Sequence, residues 1–377
     1  MDVCLSSVRA ARGRRRARGA GLALLCLALV AASLALTGRG GVAGANAPTR
    51  DYYVSGWSYG DPASLEAAAG QRALNEVCVP WYGSAPNGDV LVWDARPDFV
   101  ALARSKAVRV LATVGNWDAA RTHFSPTVAA AILTHPRVRN RHIRALVRLC
   151  VTQGYAGIDL DWETLRARDR ARFSSFVEQL ARALHKRHKT LAIAVLAKLS
   201  TTGGWGGARA QDWRRLGAAV DEFKIMCYEF SGSWSRPGPI APTTWASRIL
   251  TFAASQVKPR KVMLGIPFYG RDWTDGGPAV ALLWSQTQAL IQQYGPTVKR
   301  DRYGEAYFRY TDGEGHKHQV HFQDRRSIAA KCALIWYEHP AMRGIAVWRM
   351  GGEDPLFWNT IRQKLKPHAR PLPSPTP

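Results

Sequence analysis

The sequence predicts an α/β fold, a closed (β/α)8 (TIM) barrel with a small α+β insertion between its seventh strand and seventh helix. Eight short apolar runs alternate with helical patterns, beginning near Tyr52, Val77, Val108, Ala156, Thr190, Glu222, Lys261 and Gly344. Runs such as Leu191 to Leu196 are almost uninterrupted, which suits a parallel sheet covered on both faces. The length of 377 residues accommodates one barrel of about 250 residues with additions. A doubly wound open sheet is the alternative architecture.

The N-terminus reads as a targeting segment. Arg9, Arg12, Arg14, Arg15, Arg16 and Arg18 precede an apolar run from Ala20 to Leu36 and a small-residue stretch from Gly40 to Ala47. Residues 1–47 are therefore expected to be a signal peptide, or else an uncleaved membrane anchor, with the rest of the chain exported. Cys26 follows Leu25, where a lipidation site would need a small residue. The catalytic barrel is expected over residues 48–366. Within it, Ile143, Leu146, Val147 and Cys150 mark one amphipathic helix. Phe173, Phe176, Val177, Leu180 and Leu184 mark a second, and Trp245, Ile249 and Phe252 a third.

One connection is too long for a plain βα turn. Residues 271–324 hold a helical stretch near Trp284–Tyr294 and a hairpin pattern, Ala306 to Tyr310 and His318 to Phe322, around Asp312-Gly313-Glu314-Gly315. This insertion should rise from the C-terminal rim and form one wall of a cleft. The tail, residues 367–377, carries five prolines and reads as disordered.

The formal net charge is +24. Residues 1–47 hold seven arginines and one acid, so a net +18 remains beyond them. For an exported protein this points to anionic cell-wall polymers more than to nucleic acid, with a merely solvated basic surface as the simpler alternative; no nucleic-acid module is recognisable, and a monomer is expected. Outside the leader, Cys78, Cys150, Cys227 and Cys332 each fall in an apolar pattern without metal-ligand spacing. They read as buried thiols more than as disulfides.

The fourth run, Ala156-Gly157-Ile158-Asp159-Leu160-Asp161-Trp162-Glu163, is the most informative. Side chains alternate on a strand, so Asp159, Asp161 and Glu163 share one face, roughly 6–7 Å apart, while Ile158, Leu160 and Trp162 share the other. Crowding like charges against apolar packing raises at least one carboxyl pKa, the condition for an acid catalyst beside ionised partners. In a barrel these residues fall at the C-terminal rim, where active sites form. Other strand ends offer aromatic and polar groups suited to a sugar cleft: Trp57 and Tyr59, Trp81 and Tyr82, Asn116 and Trp117, Met226, Tyr228 and Glu229, Tyr269 and Arg271, and Trp348.

AGIDLDWE, IMCYEF, LGIPFYGRDW and GIAVWRMGGED, in that order at the fourth, sixth, seventh and eighth strands, resemble glycoside hydrolase family 18 over about Asp51 to Lys366. The bacterial branch with spore-cortex and germination-type N-acetylglucosaminidases is the most similar. The resemblance implies cleavage of β-1,4 bonds of N-acetylglucosamine polymers, peptidoglycan or chitin, with retention, the substrate's own acetamide serving as nucleophile. It implies no cofactor and no metal. Glu163 would be the general acid and then base, Asp161 would orient the acetamide, and Asp159 would tune Asp161 through a shared proton. Tyr228 would donate to the acetamide oxygen and Trp348 would floor the reacting subsite. Tyr269, Arg271, Glu229, Met226, Trp57, Tyr82, Asn116 and Trp117 would complete the substrate-binding wall. A catalytically silent carbohydrate-binding relative is the alternative, and such proteins lack the acid that Glu163 supplies here.

Three positions depart from the family pattern. Ala156 stands where DGxDxDxE begins with an acid, Glu229 replaces the aspartate of MxYD, and Thr113-Val114-Gly115-Asn116 replaces SxGG. Other patterns compete weakly. Gly56-Trp57-Ser58-Tyr59-Gly60 matches a nucleophile elbow, but no triad partners accompany it. His316, His318 and His321 suggest a metal only if 318 and 321 did not face opposite sides of a strand, and a divalent-cation role for the acidic triplet is disfavoured by its apolar surroundings.

Overall fold

Eight parallel strands close into a barrel in the computed structural model, which describes residues 52–118, 123–275 and 277–366. The N-terminal segment 1–47 and the tail 367–377 lie outside the described residues. The barrel strands are β1 (Tyr53–Ser58), β2 (Glu76–Ser84), β3 (Arg109–Gly115), β4 (Gly157–Asp161), β5 (Thr190–Leu196), β6 (Glu222–Met226), β7 (Val262–Pro267) and β8 (Gly344–Met350). Each pairs with its neighbours in chain order, and β1 bonds to both β2 and β8, which closes the ring and excludes the open doubly wound sheet. At the closing seam Gly344 has φ 152°, and a Cβ there would lie 1.9 Å from the Tyr53 carbonyl oxygen, so only glycine lets β8 approach β1.

The helices between strands begin with recognisable caps. Asp61, Ser125, Asp212 and Asp324 each accept a hydrogen bond from a backbone N–H of the first turn. The periodic apolar residues face the barrel as their spacing requires: Phe173, Phe176, Val177, Leu180 and Leu184 are all buried, as are Ile143, Leu146 and Cys150. Cys78, Cys150, Cys227 and Cys332 are buried free thiols. Among the described residues no helix is long and apolar enough to cross a membrane.

The insertion begins at Tyr269, slightly earlier than the sequence suggested. Tyr269–Thr274 leaves the end of β7 and becomes a strand of an antiparallel sheet with Val280–Leu283, Lys299–Arg300, Ala306–Thr311 and Lys317–Phe322. The helix Trp284–Tyr294 packs on this sheet over a small core of Ala306, Phe308, Val320 and Phe322. Buried Glu305 ties the insertion to the segment after β6, accepting from the Ile240 and Ala241 amides at 2.7 and 2.9 Å and from Lys331 at 3.1 Å. Residues 318 and 321 do face opposite sides: His318 stacks on Tyr310 and His321 on Tyr307. Ser58, the serine of the elbow-like motif, is buried and accepts from the Gly60 and Asp61 amides, so it shapes a turn.

Candidate active site

The period-two pattern of β4 is realised. Ile158, Leu160 and Trp162 are fully buried on the helix side, where Trp162 stacks on Phe176 with ring centroids 4.9 Å apart. Asp159 points into the barrel, and Asp161 and Glu163 line a cavity of about 710 Å³ at the C-terminal rim. Glu163 lies beyond the last ladder pair, so a side chain does the work of a neighbouring strand. The Asn116 amide donates to the Glu163 carbonyl at 2.9 Å and its oxygen accepts from the Glu163 N–H at 2.9 Å. Thr164 then turns the chain at φ 51° and anchors its hydroxyl on the Phe124 carbonyl at 2.7 Å.

Below the cavity the barrel interior holds a fully buried ionic cluster. Lys224 of β6 donates to Asp159 at 3.2 Å and to Glu76 at 3.0 Å, and lies 3.0 Å from Cys78 Sγ. Arg109 and Arg343 approach Glu222 at 3.4 and 3.0 Å, so cations and carboxylates alternate through the core. Burial alone would push Glu76 up, but Lys224 and Arg109 outweigh it and hold it at about 2. Glu222 is pushed up to about 7 by burial and by Glu76. Asp159 also accepts from Trp57 Nε1 at 2.7 Å and the Thr113 hydroxyl at 2.9 Å. Its oxygens are thus occupied by donors, and no hydrogen bond joins it to Asp161. The sequence suggested a shared proton; the influence here runs through charge.

Asp161 and Glu163 titrate high. Burial, then Asp159, pushes Asp161 up to about 7, and its Oδ1 is buried with no hydrogen-bond partner among the described residues. Glu163 is raised well above the usual carboxyl range by burial, Asp161 and Glu229. Burial and neighbouring charge therefore favour the protonated form of Glu163 on the cavity wall, where it can give a proton to an entering oxygen.

Tyr228, Glu229 and Met226, at the end of β6, share this cavity with Trp57, Tyr269, Arg271 and Trp348. Glu229 adopts a left-handed backbone, φ 62°, held because Arg271 grips both carboxylate oxygens at 2.7 and 2.8 Å and the Tyr269 hydroxyl donates to one of them. Tyr269 and Arg271 project from the first strand of the insertion. Trp348 meets Trp57 edge-on at 5.9 Å and Tyr59 at 6.3 Å.

Three residues expected on the substrate wall are placed elsewhere. Tyr82 sits in the main core with its hydroxyl 2.8 Å from that of Tyr155, because a register slip between Val79 and Tyr82 reverses the faces of β2. Trp81 is buried there too, edge-on to Phe99. Asn116 is fully buried behind Glu163, clamping its backbone. Trp117 packs edge-on against Phe124 at 5.3 Å, and Phe124 lines the cavity in its stead. The cavity also takes Trp205, Phe230, Trp234, Trp245 and Arg349. Apart from Trp245 on its helix these lie at or beyond strand ends, where no periodicity marks an inward side chain.

The geometry agrees with comparison to known proteins. The model of the family described as glycosyl hydrolases family 18 matches residues 51–353. The uncharacterized glycosylase YvbX of Bacillus subtilis is 27% identical over 315 residues, covering 82% of this chain and 91% of that protein. The cortical fragment-lytic enzyme of Bacillus subtilis is 30% identical over 241 residues, covering 62% of this chain and 56% of that protein, so the match spans little more than half of the relative. The crystal structure of a chitinase from Chromobacterium violaceum superposes with a TM-score of 0.77 at 29% identity, covering 84% of this chain and 100% of that one.

Proposed function

The chain belongs to glycosyl hydrolase family 18 and is a glycosidase related to chitinases and spore cortex-lytic enzymes, and from that premise we propose that it cleaves β-1,4 bonds in N-acetylglucosamine polymers of the cell wall by retaining, substrate-assisted catalysis. The observation that carries this reading is the pairing of a high-titrating Glu163 with an unpartnered Asp161 oxygen in an aromatic-walled cavity. Glu163 donates its proton to the leaving glycosidic oxygen and afterwards takes one from the attacking water. The substrate's acetamide oxygen attacks the anomeric carbon, and Asp161 Oδ1 accepts the acetamide N–H and offsets the positive charge that develops. Tyr228, whose hydroxyl burial keeps protonated, donates to the acetamide oxygen. Trp348 provides the floor on which the reacting ring is distorted.

The basic N-terminal arginines and the apolar run after them support export, and the net +18 beyond residues 1–47 supports retention on anionic wall polymers. The test is incubation of the purified protein with chitooligosaccharides and with purified peptidoglycan, followed by mass spectrometry of the new reducing ends. N-acetylglucosamine at those ends is expected. Products ending in muramic acid alone would refute the proposed bond.

A further inference from the structure

We infer that Arg349 selects substrate: its guanidinium receives the lactyl carboxylate of N-acetylmuramic acid on a sugar at or beside the reacting ring. The inference rests on the hydrolase reading above and narrows its substrate class to glycans whose muramic acid carries a free lactyl carboxylate, that is, strands freed of stem peptide.

Two cations, Arg271 and Arg349, lie on the cavity wall, and their situations differ. Arg271 is committed to Glu229 through both carboxylate oxygens. Arg349 makes no ion pair among the described residues; its one hydrogen bond, from Nη1 to the Met350 carbonyl oxygen, is long at 3.4 Å. The guanidinium is held 5.1 Å from the centre of the Tyr59 ring, another wall residue, and the backbone places it directly after Trp348. Asp61 accepts the Ala63 and Ser64 amides on Oδ1 at the start of a helix; its Oδ2 faces Gly351 on the same side as Arg349 but makes no ion pair with it.

A half-buried guanidinium without a direct ion pair loses hydration when a glycan covers it. Unmodified chitin has only hydroxyl and acetamide groups to offer in return. A lactyl carboxylate offers two oxygens in the geometry a guanidinium fork fits, in a place where water no longer screens the pair. Of the wall acids, Glu229 is gripped by Arg271, and burial raises Glu163 and Asp161, which lessens their charge beside an entering carboxylate. With Arg271 committed, Arg349 is the wall cation left to fit an anionic sugar better than a neutral one.

The test compares the parent with Arg349→Gln and Arg349→Lys on two peptide-free tetrasaccharides, one alternating N-acetylglucosamine with N-acetylmuramic acid and one of N-acetylglucosamine only. The readout is the ratio of kcat/KM values, which a general loss of folding leaves unmoved. We expect the parent to favour the muramic substrate at least tenfold, Arg349→Gln to lower the ratio tenfold or more, and Arg349→Lys to keep part of it. Methyl esterification of the lactyl carboxylate should reproduce the loss in the parent. An unchanged ratio in Arg349→Gln, or equal cleavage of ester and acid, overturns the role of Arg349 alone. Cleavage of neither glycan by the parent removes the hydrolase reading together with it.

Discussion

Asp161 is held in an environment that suits catalysis and opposes folding. Its folded pKa, about 7, exceeds the unfolded value of about 3.9, so the folded state prefers the protonated form. Stability from this group is intact below about pH 4 and declines as pH rises toward 7, because the unfolded chain ionises first and the folded one only as 7 is approached. Asp161→Asn should therefore melt higher than the parent at pH 8 and close to it at pH 4, while losing most activity; differential scanning calorimetry at the two pH values checks this. Lys224 has the opposite balance. Removing its charge in Lys224→Met leaves Asp159 and Glu76 facing each other in a dry core and should cost about 3–5 kcal/mol, read from denaturant unfolding. The acidic face of β4 was legible because spacing of two needs no tertiary knowledge. Lys224 was not, since its partners lie 65 and 148 residues away in sequence and one lysine inside Glu222–Met226 looks like a strand-end charge.

At the scale of elements, side chains finish what the strands begin. β4 ends at Asp161, two residues before the acid, and the Asn116 clamp carries the extended backbone onward to Glu163. Asn116→Ala breaks three side-chain bonds, two to the Glu163 backbone and one to the Ser125 carbonyl, at a cost of about 1–3 kcal/mol, and because it frees the acid's backbone, kcat should fall more than KM rises. Steady-state kinetics on a chitooligosaccharide separates the two. Glu305 acts likewise across elements, gripping the amides of Ile240 and Ala241, which close the segment that carries Phe230 and Trp234. Strand starts were readable to within about one residue, because apolar runs bounded by helical patterns set them. The slip in β2 was invisible, since a bulge changes phase without changing composition, and it misplaced Tyr82.

The whole barrel separates chemistry from charge. Glu163 and the aromatic wall occupy the rim at the strand C-terminal ends, whereas exposed Arg72, Lys106, Lys186, Arg187, Lys258 and Arg260 lie in the turns that lead into strands, at the opposite end. Helix C-termini favour such cations, and together they form a basic underside. Sedimentation with a polyphosphate-type wall polymer should be strong near 0.1 M salt, where screening extends about 10 Å, and lost near 1 M, where it extends about 3 Å. The fold class was legible from the count of alternating units, and the cavity's depth was not, because loop aromatics such as Trp205 and Trp234 obey no period. In the proposed mechanism Asp159, Asp161 and Glu163 serve a substrate that attacks itself. Proton NMR of the first product formed from an N-acetylglucosamine oligomer, with Glu163→Gln alongside, reads this out. The β-anomer should appear first, with the variant slowed about 100- to 10,000-fold; an α-anomer first, or an unimpaired variant, would contradict it.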